Sequence, residues 1–238
     1  MNVLEVENVH ARYGDHEVLR GVNLQVSRGQ WVCLLGPNGV GKSTLLHCIA
    51  GRLDAASGDI RISGHSSSAA KRRLGYACAP EQLPGLLTGR QCLEVYAIAK
   101  ELEAIDGDVL AVAEDLKFTP FMDGFVDTYS LGTRQKLCVL LALLGDPDLI
   151  VFDEAFNGLD PRSALRLKQH LRERLLAGRC GVLLATHSLD TVEHHADAAA
   201  LLIDGVIARR WTAIEIEQLR VSGANGLERA LAEASDVT

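Results

Sequence analysis

The chain has 238 residues, 47% of them hydrophobic, and carries 31 acidic against 24 basic side chains for a formal charge of −7. This is enough apolar material for one large domain, or a domain with a subdomain. The balance is too acidic for nucleic acid to be the main partner, since phosphate recognition clusters Lys and Arg. No apolar stretch reaches the roughly 20 residues that a membrane span needs; the greasiest, 137–144, is cut off by Gly145-Asp146-Pro147-Asp148.

In chain order, the first strong signal is Trp31–Leu35, a short apolar run of the kind a buried strand shows. It is followed by Gly36-Pro37-Asn38-Gly39-Val40-Gly41-Lys42-Ser43-Thr44 and then by Leu45, Leu46, Ile49 and Ala50 at helical spacing, with Gly51 as the stop. A glycine-rich loop between a strand and a helix turns successive backbone N–H groups onto phosphates, and the positive end of the helix dipole adds to the same spot. Lys42 then supplies a point charge to the β- and γ-phosphates, and the Ser43 hydroxyl is placed to ligate Mg²⁺. The segment predicts binding of a nucleoside triphosphate.

Beyond it, Thr88 is placed to cap a helix carrying Leu93, Tyr96 and Ala97, and Asp108 to begin another running through Leu116. Ser130 has the character of an N-cap for a helix with Leu137, Leu140, Leu141 and Leu144 on one face. Its hydroxyl and the free N–H groups of Leu131, Gly132 and Thr133 make a second anion site. The apolar strand Leu149–Asp153 ends in the acidic pair Asp153 and Glu154. In a P-loop enzyme the first acid holds Mg²⁺ through its hydration shell and the second polarises the attacking water. Asp160 and Pro161 open a helix through Leu167, Leu171 and Leu175 to Gly178, as N-cap and N1. The strand Gly181–Ala185 leads to His187, placed to donate to a γ-phosphate or to the attacking water. Two short amphipathic segments, 213–220 and 227–234, close the chain. The six cysteines lie in apolar segments without metal-ligand spacing and no signal peptide is seen, which predicts reduced core residues in the cytoplasm.

The order of these motifs resembles the ATP-binding cassette (ABC) family over nearly the whole chain. Tyr129-Ser130-Leu131-Gly132-Thr133-Arg134-Gln135 is a variant of that family's Leu-Ser-Gly-Gly-Gln signature, Asn157-Gly158-Leu159-Asp160 looks like its D-loop, and His187 like its switch histidine. Tyr13 matches the aromatic that stacks on adenine. The resemblance implies an α/β P-loop NTPase cassette with a mixed-sheet core and an inserted helical subdomain. The core would cover 1–79 and 146–205, the helical subdomain 80–145, and a short C-terminal extension 206–238. It further implies ATP and Mg²⁺ as ligands and head-to-tail pairing with a second cassette, whose Ser130, Leu131 and Gly132 counterparts complete each ATP site. Lys42, Glu154 and His187 would be catalytic, Asp160 would serve the D-loop, and Ser43 and Asp153 would hold the metal. Lacking a visible span, the chain would act at the cytoplasmic face of a membrane on a separate polytopic subunit, most in the manner of bacterial exporters. The alternative is a soluble cassette working on a ribosome, chromosome or assembly scaffold.

Two stretches depart from the pattern. Cassettes have a Mg²⁺-touching glutamine after the strand that enters the helical subdomain; here ungapped matching from Gly75-Tyr76 puts Ala79 there, whereas matching on proline offers Glu81 or Gln82, of which Gln82 is preferred. Ala155-Phe156 stands where the family has Pro-Thr or Pro-Ser, a change that would loosen the turn or make it more apolar.

Overall fold

A computed structural model describes residues 1–67 and 69–221. Within them, strands β1 (Asn2–Tyr13), β2 (His16–Ser27), β4 (Ser57–Ile62) and β5 (His65–Ser66) form an antiparallel sheet in the order β2-β1-β4-β5. Strands β3 (Trp31–Leu35), β6 (Leu74–Tyr76), β7 (Leu149–Asp153), β8 (Gly181–Ala185), β9 (Ala198–Ile203) and β10 (Val206–Trp211) form a second sheet in the order β10-β9-β3-β8-β7-β6. All of its pairings are parallel except that of β10 with β9.

The central strands are apolar along their length because both faces of this sheet are covered. Their side chains alternate between two cores, as the two-residue period of a strand requires. Val32, Leu34, Leu149, Val151, Leu183 and Ala185 join the antiparallel sheet and α1 (Lys42–Ile49) on one face. Trp31, Cys33, Leu35, Ile150, Phe152 and Leu184 join the helices on the other. The α/β class and the mixed-sheet core are as expected.

The helices on that second face come largely from the insertion after β6: α2 (Gly89–Ala99), α3 (Gly107–Asp115) and α4 (Leu131–Leu143). Thr88 caps α2 in a reciprocal capping box with Gln91. Helix α3 starts earlier than the sequence suggests. Its cap is Asp106 rather than Asp108, since Asp106 accepts from Val109 N at 2.8 Å and also from Gly145 N at 3.0 Å, a tie to the end of α4 visible only in three dimensions. Asp108 lies in the first turn and pairs instead with Arg179 at 2.8 Å. The expected face of α4, Leu137, Leu140 and Leu141 with the C-cap Leu144, is buried, but so are Cys138, Val139, Ala142 and Leu143, so the second half of the helix is covered all round; it lies so close to β6 that a Cβ on Gly75 would sit 1.8 Å from the Ala142 carbonyl oxygen.

Helix α5 (Pro161–Leu176) opens on Asp160, which accepts from Ser163 N at 2.9 Å. The helices α6 (Leu189–His195) and α7 (Ala213–Val221) follow. The main sheet does not stop at 205, because β10 pairs along β9 from Val206 to Trp211; α7 matches the first tail segment, and 227–234 lies outside the described residues. All six cysteines are buried with free thiols.

Candidate nucleotide site

The loop 36–41 leaves the end of β3 and enters α1 at Lys42. Gly36, Gly39 and Gly41 hold φ values of 150°, 81° and 112°, which L side chains rarely adopt. Gly36 is also required by space, since a Cβ there would meet the Leu202 carbonyl oxygen of β9 at 2.4 Å. Pro37, Asn38 and Gly39 are exposed, with Ser43 beside them. Lys42 is 7% exposed and donates to the carbonyl oxygens of Gly36 at 2.7 Å and Pro37 at 3.0 Å. Val40 is half-buried and Thr44 buried, so the loop is anchored on one side while its other side faces solvent.

The acidic pair arrives from the next strand but one. Parallel pairing of β7 with β8 sets Asp153 beside Ala185 and β8 lies against β3, so the ends of all three strands open on one edge, where open α/β sheets bind ligands. A cleft of about 180 Å³ is lined there by Asn38, Gly39, Lys42, Ser43, Asp153 and Glu154. An adjoining cavity of about 500 Å³ shares Ser43, Asp153 and Glu154 and adds Gln82, Leu131 and Asn157.

Glu154 is the most constrained residue of the group. Its φ is 51°, a strained value for a non-glycine residue and one that recurs at functional sites. Its N–H donates to the Ala185 carbonyl at 2.9 Å. One carboxylate oxygen lies 2.8 Å from His187 Nδ1, and the other accepts from Asn157 Nδ2 at 3.2 Å. His187 is held at the end of β8 by the turn in which Ser188 N donates to Thr186 Oγ1 at 3.0 Å. Two polar side chains thus hold the carboxylate of a residue that lines both cavities, the arrangement of a base oriented by its neighbours.

The Ala155-Phe156 turn is anchored rather than loosened. Ala155 is fully buried, the Phe156 ring stacks on Trp31 at 6.0 Å and packs on Phe152 at 6.2 Å, and Lys168 Nζ lies 5.5 Å from the ring centroid. The aromatic replaces the rigidity of a proline with packing.

The remaining expected residues are placed differently. Ser130 caps α4, accepting from Thr133 N at 3.2 Å, and is exposed together with Leu131. Gly132 backs onto the 157–160 turn of the same chain, where a Cβ would lie 2.7 Å from the Gly158 carbonyl oxygen. Neither Ser130 nor Gly132 lines the two cavities, and neither does Tyr13, which is 53% exposed at the tip of the β1–β2 hairpin. Asp160 bonds to Ser163 and to Lys136 Nζ at 3.1 Å; the Ser163 hydroxyl and N–H, then Lys136, hold its carboxyl well below the usual carboxylate range. Ala79, Glu81 and Gln82 all line the larger cavity, so the alternatives after β6 share one location. Gln82 accepts from Arg52 Nη1 at 2.7 Å, and the Arg52 guanidinium lies 4.6 Å over the Tyr76 ring.

Sequence reasoning passed over Asn157 and Arg52. Asn157 stood inside the D-loop motif, three residues after Glu154, and the turn that returns its amide onto that carboxylate is the missing signal. Arg52 meets Gln82 across 30 residues of chain, and no local pattern announces that meeting.

A family model described as "ABC transporter" matches residues 19–157. The uncharacterized ABC transporter ATP-binding protein YdbJ of Bacillus subtilis is 33% identical over 209 residues, covering 86% of this chain and 68% of that protein. The daunorubicin resistance ATP-binding protein DrrA3 of Streptomyces coeruleorubidus is 31% identical over 98% of this chain and 75% of its own length. The Nod factor export ATP-binding protein I of Ralstonia nicotianae is 31% identical over 85% and 65%. Mammalian ABCA-type relatives are matched over 12% to 13% of their length. A solved structure of an ATP-binding subunit of an ABC transporter superposes with a TM-score of 0.87 at 28% identity, covering 98% of this chain and 99% of that one. Loop, acidic strand end and overall architecture agree with these matches, and the chain belongs to the ABC transporter family.

Proposed function

We propose that this chain binds MgATP at the P-loop, hydrolyses it, and couples cassette closure to transport, in the direction of export, through a separate polytopic membrane subunit at the cytoplasmic face. The observation that carries the reading is the convergence of Lys42, Ser43, Asp153 and the Glu154–His187 pair on one cleft. Relatives whose names speak of drug resistance and Nod factor export support the direction.

In this reading the phosphates enter the loop, and Lys42 exchanges the Gly36 and Pro37 carbonyls for β- and γ-phosphate oxygens. Glu154 accepts a proton from water as the water oxygen attacks the γ-phosphorus and the bond to the bridging oxygen breaks, releasing ADP and phosphate. His187 holds the carboxylate in line. Ser43 and Asp153 suit Mg²⁺, which takes one or two protein oxygens beside phosphates and waters. When bound, the ion neutralises charge on the phosphates. The exposed start of α4 at Ser130, Leu131 and Gly132 is a helix N-terminus suited to the γ-phosphate of a second cassette's ATP, with Asp160 and Lys136 fixing the D-loop to that helix. Tyr13, exposed at its hairpin tip, is the platform for adenine. In this reading 1–79 and 146–205, with β10 added, are the nucleotide-binding core and 80–145 is the helical subdomain.

The test is capture of tagged Glu154→Gln protein from detergent-solubilised host membranes with and without MgATP, with partners identified by mass spectrometry. A polytopic membrane protein enriched by MgATP is the expected result. Recovery of ribosomal, chromosomal or assembly proteins alone would overturn the reading.

A further inference from the structure

Two of the buried thiols meet at a place where the chain changes from core to helical insertion. Cys78 follows β6 and Cys138 lies in the middle of α4; their sulfurs are 3.8 Å apart, joined by 60 residues of chain. We propose that Cys78 and Cys138 form a reversible disulfide that cross-links the entry to the helical insertion with α4, and so locks the signature-bearing helix against the nucleotide site.

Three features support the pairing. The first is reach: a disulfide has its sulfurs about 2.05 Å apart, and closure from 3.8 Å is within the movement of residues 77–79, which belong to neither strand nor helix. The second is access: Cys78 is 4% exposed, and Tyr76 and Ala79 on either side of it line the 500 Å³ cavity next to Gln82, so a small oxidant in that cavity stands beside the segment that carries the thiol. The third is polarity. The Cys138 thiol bonds to Cys78 and the Arg52 guanidinium acts on it, so the Cys78 thiol is shifted down towards the thiolate, while Cys138 is shifted up. Cys33, Cys48 and Cys92 are instead pushed up by burial, which leaves Cys78 as the nucleophile among them.

With hydrogen peroxide as oxidant the step balances. The Cys78 thiolate attacks one peroxide oxygen, the O–O bond breaks, and the hydroxide released takes a proton to become water. Cys138 sulfur then attacks the Cys78 sulfenic sulfur, a second water leaves, and the S–S bond forms; each sulfur has lost one electron and the peroxide has gained two.

The experiment treats the full chain with peroxide under native conditions, alkylates the remaining thiols, digests with trypsin and analyses by mass spectrometry. Cys78 is the one cysteine of tryptic peptide 74–90 and Cys138 that of 137–162, so their linkage is unambiguous. The expected result is loss of two of the six thiols, a linked 74–90/137–162 species that dithiothreitol dissolves, and a loss of ATP turnover that dithiothreitol restores. In Cys138→Ser, peroxide leaves a dimedone-reactive sulfenic acid on Cys78 and no bridge. Six thiols surviving treatment, or peptide 74–90 linked to the Cys92-bearing peptide 91–100, would overturn the pairing. A bridge that leaves turnover unchanged would overturn the lock. The turnover readout rests on the ATPase reading, whereas the linked peptide does not, so the two fail separately.

Discussion

Glu154→Gln is the sharpest probe of the site, because it changes charge without changing volume. In the folded chain the Glu154 carboxylate accepts from Asn157 at 3.2 Å and faces His187 Nδ1 at 2.8 Å. A glutamine keeps one acceptor oxygen for these partners and turns the other position into a donor. The Glu154 side chain is 25% exposed and that of His187 65%, so water replaces what is lost and the folding cost is about 1 kcal/mol or less. With Glu154 as the proposed general base, the substitution acts on the barrier instead, and such groups contribute about 10²- to 10⁴-fold, equivalent to roughly 3–5 kcal/mol at about 1.4 kcal/mol per tenfold. The large difference between these two magnitudes is the prediction. Phosphate release at saturating MgATP falls by at least about 100-fold, while thermal unfolding and ATP affinity stay close to wild type. His187→Ala extends the test: if His187 works by orienting Glu154, the double variant is no slower than Glu154→Gln alone, a non-additivity of about 1–3 kcal/mol. Wild-type turnover in a folded, ATP-binding Glu154→Gln protein would refute the water-polarising assignment, and strictly additive losses would refute the role given to His187.

Three further outcomes follow from the geometry. Tyr13→Ala leaves stability within about 0.5 kcal/mol, since the ring is exposed, but weakens ATP binding by about 0.5–1.5 kcal/mol; a fluorescent-nucleotide titration with unchanged affinity would place adenine elsewhere. Gly75→Ala drives a Cβ into the Ala142 carbonyl at 1.8 Å, forces β6 from α4 and costs about 3 kcal/mol, read by urea unfolding, where a wild-type midpoint would contradict the packing. Burial, then the charges of Lys168, His194 and Arg172, push His195 down to about 4 from 6.5. The unfolded chain therefore takes up that proton more readily, so the stability held by the neutral ring is complete above pH 6.5 and is lost as pH falls towards 4. For a half-buried ring the loss is about 1–2 kcal/mol after solvent screening. His195→Phe, which keeps a ring against Trp31, flattens the decline of the thermal midpoint across that window, with the depressed His170 retaining part of the slope; an unchanged slope would assign the effect elsewhere.

The sequence by itself determined the strand–loop–helix of the P-loop, the caps at Thr88, Ser130 and Asp160, and the acidic end of β7. Each is a local arrangement in which apolar runs, glycines and short polar side chains act on backbone within a few residues. Those same local rules placed the start of α3 at Asp108, one residue after its first helical residue Gly107 and two after its cap Asp106, whose carboxylate also ties the helix to Gly145 N in the turn that follows α4. They also left 206–211 in an extension, because β10 earns its place by pairing with β9. Only the tertiary structure decided that His187 and Asn157 converge on Glu154, that Phe156 locks its turn against Trp31, that Arg52 reaches Gln82, and that Cys78 faces Cys138. The reason is physical: the strand order β3-β8-β7-β6 sets side by side the ends of strands that are far apart in sequence, and no one-dimensional pattern encodes which side chains then come within bonding distance.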